Sequence, residues 1–119
     1  MQLGLRAVWT EARRRGHGLP EIAAWMSERP ARLAGLAARK GRIARGLDAD
    51  LVVWDPDQEH VVDATELRFR HKISPYVGRA LAGRVHATIL RGQIAFDGVE
   101  PAGPARGVTL LGRDARSTP

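Results

Sequence analysis

Histidines and alternating aspartates are the side chains of this 119-residue sequence that could do chemistry. The four histidines are His17, His60, His71 and His86, and imidazole can ligate a metal or transfer a proton. The absence of cysteine excludes thiolate zinc sites and disulfides. The local sequence around His17, His60 and His86 does not indicate a metal site.

Asp48, Asp50, Asp55 and Asp57 alternate in a way that could supply oxygen ligands to calcium. An EF-hand loop also needs a mid-loop glycine and a later glutamate, whereas Val52–Trp54 lies between these acids. We interpret the aspartates as turn residues at the two ends of a strand.

The elements that must position these side chains begin with helices. Apolar residues recur at spacings of three and four in the first segment: Leu5, Val8, Trp9 and Ala12. This spacing predicts an amphipathic helix over 3–15, with Gly16 as its stop. His17 lies between two glycines, which is typical of a turn.

Two prolines punctuate the next helical segment. Pro20 can occupy a first helical turn, and Ile22, Ala23 and Met26 form an apolar stripe behind it. Pro30 is expected to end that helix and to start a short one that reaches Leu36. Within this short helix, Leu33 and Ala34 are predicted to be buried.

Beyond Gly41 the pattern changes to strands. Leu51–Trp54 is a short run of strand-forming residues between aspartate turns, which predicts a buried strand. Residues 84–91 and 93–96 flank Gly92 and predict a hairpin. His60 and His86 are predicted to lie at surface positions of strands. The tail is expected to be loose, with a possible edge strand over 108–111.

The formal charge of +6 suggests nucleic-acid binding as a candidate function, because phosphate groups attract clustered cationic side chains. The cationic residues extend from Arg6 to Arg116 with a single run, Arg13–Arg15, and few aromatic residues lie among them. The scattered cations and the few aromatic residues argue against a nucleic-acid partner. A small basic nucleic-acid-binding or interaction module stays open as the alternative. No apolar run approaches the ~20 residues of a membrane span, and the first residues lack the plan of a signal peptide, so we expect a cytoplasmic protein without a membrane partner.

A family resemblance covers most of Gln2–Gly98 and is specific at four places. Gln2–Leu5, and Trp25–Ser27 with Pro30–Leu36, resemble the helices at the end of an amidohydrolase barrel. Arg70–Gly78, followed by Arg84–Gly98, closely resembles the C-terminal end of allantoinases, which are cyclic amidohydrolases related to hydantoinases and dihydroorotases. Lys40–Ala44 with Gly46–Val52 is similar to a segment that is widespread among amidohydrolases. Arg6 departs from this pattern, since relatives often place a proline there, and Arg29 replaces a common helix-capping residue.

The resemblance implies an α+β chain. Residues 1–40 would be the terminal helices of a metal-dependent-hydrolase (β/α)8 barrel, 41–98 part of the accessory β-sandwich, and 99–119 a loose tail. The complete family enzyme hydrolyses allantoin to allantoate at a binuclear zinc centre, whose ligands, among them a His-x-His pair, lie upstream of the matching region. None of these ligands maps onto this chain, so the resemblance implies no catalytic residue, no cofactor-binding residue and no metal site here. We therefore expect a C-terminal fragment that is inactive alone, whose partner is the missing barrel portion or a second copy. His71, before the Pro-Tyr-Gly turn, is the one residue that could lie near substrate in the complete enzyme.

Overall fold

The computed structural model describes residues 2–110, in which helices precede an antiparallel sheet. The helices are α1 (Gly4–Arg14), α2 (Leu19–Ala23) and α3 (Arg29–Leu33), and a π-helical turn, Ala24–Glu28, joins the last two. The strands are β1 (Leu51–Val61), β2 (Ala80–Leu90) and β3 (Gln93–Phe96), in the order β1-β2-β3, with a 3-10 turn at Ala64–Glu66. Within this described range no helix is long and apolar enough to cross a membrane.

Helix α1 forms where it was predicted, but its buried face differs. Val8 is 39% exposed, whereas Arg6 is among the buried residues at 9% exposure. The Arg6 guanidinium reaches the sheet and donates to the carbonyl oxygen of His60 at 3.2 Å. Because an arginine is rarely buried, the apolar pattern alone could not place this residue on the buried face.

The chain from 19 to 33 stays helical through Pro30, so the predicted helix end at this proline is wrong. A proline normally clashes with the carbonyl four residues before it. Here the π-helical turn just before Pro30 widens the helix, and the Arg29 N–H donates to Ala24 O, five residues back. Leu33 is 91% exposed and Ala34 is also exposed, so their predicted burial is wrong; Ala31 is buried instead.

Strand β1 continues through Asp55, Pro56 and Asp57, where the sequence predicted a turn. Asp55 pairs with Arg84 and Glu59 pairs with Ala82, so Pro56, Asp57 and Gln58 form a bulge in the ladder. The Asp55 carboxylate accepts the backbone N–H of Asp57 at 2.9 Å and of Gln58 at 3.3 Å. The turn chemistry is thus correct, but it bends a strand instead of ending it.

Trp9 docks α1 onto this bulge. Its indole N–H donates to Pro56 O at 2.8 Å, and its ring meets Trp54 edge-to-face with centroids 5.8 Å apart. Gly83 lies opposite the bulge with φ +94, and a Cβ there would lie 2.8 Å from Trp54 Cζ3. One buried cluster forms around this contact: Trp9, Ala12, Ile22 and Ala82.

A second buried cluster holds the loop between β1 and β2. It consists of Leu3, Val62, Leu67 and Leu81, with Phe69 and Tyr76 packed against it. Val62 also accepts the Gly78 N–H at 2.9 Å and donates to Arg79 O at 2.9 Å. Both ends of the 67–79 loop are therefore fixed to the sheet.

The outer parts of the sheet are less covered than the sequence predicted. Val52 and Val53 are 43% and 51% exposed, because in residues 2–110 β1 pairs with β2 alone and so forms an edge. The β2–β3 hairpin is confirmed, although β2 begins at Ala80. The described part of the tail forms a β-bridge between Phe96 and Pro101, and the Ala102 N–H donates to Ala95 O at 2.9 Å. Residues 108–110 form no strand, and Leu111 of the predicted edge strand lies outside the described residues.

Gly83→Ala tests the docking of α1. Gly92→Ala is the matched control, because Gly92 has a similar φ of +78 with nothing within 4 Å of an added Cβ. The control should lower the free energy of unfolding by about 1–2 kcal/mol through backbone strain. Gly83→Ala should cost a further ~1–3 kcal/mol, since the methyl group crowds Trp54. Equal losses in urea unfolding would contradict this packing.

Candidate functional site

The motif segment 39–50 folds into a loop with Lys40 at its centre. The Lys40 ammonium lies 3.0 Å from Asp48 Oδ2 and also contacts Asp50 Oδ2. Arg39 adds a second cation to the cluster at 3.3 Å from Asp48. The side chains of Lys40, Asp48 and Asp50 are 21%, 22% and 28% exposed, so this ion cluster is partly shielded from water.

The same loop grips the β2–β3 hairpin. Asp50 Oδ1 accepts the backbone N–H of Arg91 at 2.8 Å, and Ala49 O accepts that of Gly92 at 3.0 Å. Arg91 has φ 48, the left-handed conformation that a tight hairpin requires of a turn residue. Asp50 therefore connects the loop to the hairpin through one carboxylate.

Gly41 brings the loop against the helices. It has φ +100, and a Cβ at this position would lie 2.6 Å from the Ala31 side chain. Only glycine allows both this conformation and this close approach. The motif loop thus connects α3 to the hairpin. These contacts of the motif are structural and not catalytic.

The charges of this ion cluster support one another. Hydrogen bonding by Lys40 is the main cause that lowers the pKa of Asp48. Burial disfavours the charge on Asp50, but hydrogen bonds from Lys40 and from the Arg91 N–H outweigh it, and the pKa of Asp50 is lowered. Burial also opposes the charge on Lys40, yet its two carboxylate partners raise its pKa. The cluster therefore keeps its charges over a wider pH range than the free side chains would.

An apolar groove of about 960 Å³ runs between the 19–33 helical segment, the motif loop and β1. Its apolar lining includes Leu5, Ile22, Leu36, Leu51 and Trp54. Lys40, Asp48, Asp50 and Glu28 also line the groove. The groove contains no histidine, so it offers apolar contact surface and fixed charges but no imidazole for proton transfer.

Three histidines lie apart from this groove. His17 lies between α1 and α2, directly after the turn at Arg15 and Gly16 and not within it, and its ring meets Trp25 edge-to-face at 4.9 Å. His60 is near the end of β1, where its Nε2 lies 3.1 Å from Glu66 Oε2. His86 is an exposed residue of β2. The structure does not bring these side chains together.

His71 is exposed and lies in the loop between β1 and β2, where its carbonyl oxygen accepts the Ile73 N–H at 2.7 Å. It lines neither the groove nor a smaller cavity beside His17 and Trp25. Its proximity to substrate in a complete enzyme stays a prediction.

The described residues do not fit a binuclear zinc site. Between residues 2 and 110, no group of three or more histidine, aspartate or glutamate side chains could hold a metal ion. Asp48 and Asp50, which tempted a calcium interpretation, face Lys40 instead. We therefore assign no catalytic step to a metal held by these side chains.

Two features of the site were missed from the sequence. The sequence contained a hint of the ion cluster, because Lys40 precedes two aspartates by eight and ten residues. No local pattern showed that the loop would fold back and bring these side chains together. Burial of Arg6 had no signal, since its partners are backbone carbonyls distant in sequence.

The model of the amidohydrolase family matches residues 3–95. The chain belongs to the amidohydrolase family. Among curated relatives, it is 50% identical over 106 residues to an allantoinase of Streptomyces avermitilis, which covers 87% of this chain and 24% of the relative. It is 41% identical over 96 residues to a probable allantoinase of Dictyostelium discoideum, covering 81% of the chain and 19% of the relative. The chain thus spans about a quarter or less of these relatives' length.

Solved structures of this amidohydrolase's relatives have the same local fold. An L-hydantoinase from Arthrobacter aurescens superimposes with a TM-score of 0.77 at 33% identity, over 83% of this chain and 22% of that one. A dihydropyrimidinase from Brevibacillus agri gives a TM-score of 0.78 at 26% identity, over the same shares. The helices and sheet described above are therefore a recurring part of larger chains.

Lys40→Met tests the ion cluster, since methionine keeps the aliphatic stem and removes the charge. Asp50 then loses its cation and Asp48 keeps Arg39 alone, so the free energy of unfolding should fall by about 1–3 kcal/mol near pH 7. The lowered pKa values of Asp48 and Asp50 stabilise the wild type above their unfolded pKa near 4, and this contribution disappears as the pH falls through the folded values.

The loss caused by Lys40→Met should therefore shrink toward pH 2. Urea unfolding at both pH values measures it, and Arg42→Met, an exposed position in the same loop, is the control. A loss that is the same at pH 7 and pH 2 would show that the charges of this cluster do not stabilise the fold.

Proposed function

We propose that this chain is part of a cyclic amidohydrolase of the allantoinase type, which hydrolyses allantoin to allantoate. The observation that carries the proposal is the 50% identity over 106 residues to the allantoinase of Streptomyces avermitilis. Further support comes from the 46% identity over 84 residues to an allantoinase of Salmonella newport. Water opens a cyclic amide in this reaction, and the hydantoinase and dihydropyrimidinase relatives are named for ring substrates of similar chemistry.

In this proposal the chain supplies support and not the reacting groups. Its helices would close a (β/α)8 barrel, and β1–β3 would form part of an accessory sandwich at the C-terminal end of the enzyme. The ion cluster and Gly41 would hold these two parts at a fixed distance, because they join α3 to the hairpin. The metal that the family implies would be bound by residues outside 2–110, so the chain alone would be inactive.

The uncovered apolar surface fits this supporting role. Apolar residues that are strongly exposed are found on the helical segment, the motif loop and β1: Leu33, Ile43, Val52 and Val53. Burying one such side chain contributes about 1.5–3 kcal/mol, so a partner surface would add substantial stability. The remainder of the enzyme would cover this surface, and in its absence a second copy would. A cytoplasmic location is part of the same proposal.

A chimera tests the proposal directly. The matching 106-residue segment of the Streptomyces avermitilis allantoinase is replaced by this chain, and allantoate formation from allantoin is measured. The chimera should keep activity within about tenfold of the parent, because a supporting segment changes the barrier by little more than 1.4 kcal/mol. The parent enzyme without the segment is the control, and it should be inactive.

Two results would contradict the proposal. One is a folded, metal-loaded chimera that does not hydrolyse allantoin. The other is a parent enzyme that keeps full activity without the segment, since the proposed support would then be unnecessary.

A further inference from the structure

The net charge of this chain comes from one continuous stretch. Residues 1–66 contain ten cationic and ten acidic side chains, and residues 97–119 contain three of each. Residues 67–96 contain six cationic side chains and no acidic one, which accounts for the whole formal charge of +6. Cationic residues occur along the whole sequence, but the excess of cations over acids is confined to residues 67–96.

The arginine run that stands out in the sequence is paired with carboxylates in the structure. Glu11 binds Arg14 at 2.7 Å and Arg15 at 2.6 Å, and Arg13 lies 3.7 Å from Asp57, so two carboxylates face three arginines. By contrast, no ion pair within the described part of the chain involves a cation of residues 67–96. The six cations of residues 67–96 therefore lack the carboxylate partners that the arginine run has.

Four of these six cations, with His71, lie in the loop over 68–79, which we name the basic loop. Its cations are Arg68, Arg70, Lys72 and Arg79, and all four are exposed. Arg68 donates to the carbonyl oxygen of Val99 at 2.8 Å, which leaves its positive charge without a carboxylate. Four like charges within twelve residues repel one another, and an anionic surface would relieve that repulsion.

The two acidic side chains that precede the basic loop in the sequence are engaged in other contacts. Glu66 lies 3.1 Å from His60 Nε2 and accepts the Asp63 N–H at 3.0 Å. Asp63 accepts from the backbone and the hydroxyl of Thr65 at 2.7 and 2.6 Å. Both carboxylates are occupied by the turn that precedes the loop.

The basic loop also presents apolar surface at its tip. Ile73 is 85% exposed and Val77 is 41% exposed, between Lys72 and Arg79. Phe69 and Tyr76 pack instead against the buried cluster around Leu67, so the loop is held on the sheet while its tip projects. An apolar centre with arginines around it is the usual composition of a protein interface.

We propose that the basic loop is a docking surface for an acidic protein surface that has an apolar contact for Ile73. A second copy is the poorer occupant, because each copy carries the same +6 charge. A nucleic acid is also poorer, because the exposed tip residues are aliphatic and the nearby aromatic rings, which could stack on bases, are half-buried. This proposal does not depend on the allantoinase assignment.

The test uses the full chain and a fluorescent short peptide of glutamates with two central leucines, followed by fluorescence anisotropy at low salt. Arg70→Glu with Lys72→Glu should weaken binding by about tenfold, because two attractive contacts become repulsive. Arg42→Glu with Arg45→Glu changes the net charge equally at exposed positions of the motif loop, and it should change binding by less than about twofold.

The apolar contact has its own matched pair. Ile73→Ser should weaken peptide binding by about threefold or more, whereas Ile43→Ser, at an equally exposed isoleucine, should leave it unchanged. Circular dichroism checks that each variant keeps the wild-type fold. The same titrations are run with single-stranded oligothymidylate at about 50 and 200 mM salt.

Three results would overturn the proposal. Equal weakening by the two charge-reversal pairs would show an effect of net charge alone. Tighter binding of oligothymidylate, insensitive to Ile73→Ser, would assign the loop to nucleic acid. Failure of the wild-type chain to bind the peptide at low salt would remove the docking surface altogether.

Discussion

The contact between Trp9 and the bulge of β1 is the interaction on which the rest of this structure depends. A single indole fills the buried cluster and satisfies the Pro56 carbonyl, which the bulge leaves without a ladder partner. Gly83 makes the approach possible, because any side chain there would meet Trp54. Helix α1 and the sheet therefore form one packed unit, and the second buried cluster and the 67–79 loop build on it.

The second constraint is the motif loop, which connects α3 to the β2–β3 hairpin. Lys40 and its two aspartates close the loop on itself, Gly41 presses it against Ala31, and Asp50 holds the hairpin turn. Lysine and aspartate are residue types that often take part in catalysis, but in this loop they hold the loop and the hairpin in position. This explains how a chain can match an enzyme family strongly while its described residues contain no cluster of metal ligands.

The sequence could predict the parts of this structure that depend on local rules. Helix α1, the hairpin at Gly92 and the family resemblance follow from periodicity, turn residues and motifs close in sequence. Burial of Arg6, continuation of the helix through Pro30 and the bulge after Asp55 could not be predicted in this way. Each depends on a partner that only the fold brings near: the His60 carbonyl, a widened helical turn and the Trp9 indole. Half-exposed Val52 and Val53 show the same limit, because strand preference does not reveal which strand forms an edge.

We propose that the chain supports a cyclic amidohydrolase without holding its metal. Elemental analysis of the purified chain after incubation with zinc, combined with an allantoate assay, tests this proposal most directly. We predict no stoichiometric zinc and no turnover above background, because residues 2–110 do not bring together the three or four nitrogen and oxygen ligands that such a site requires. About one tightly bound zinc per chain, together with hydrolysis of allantoin, would contradict it.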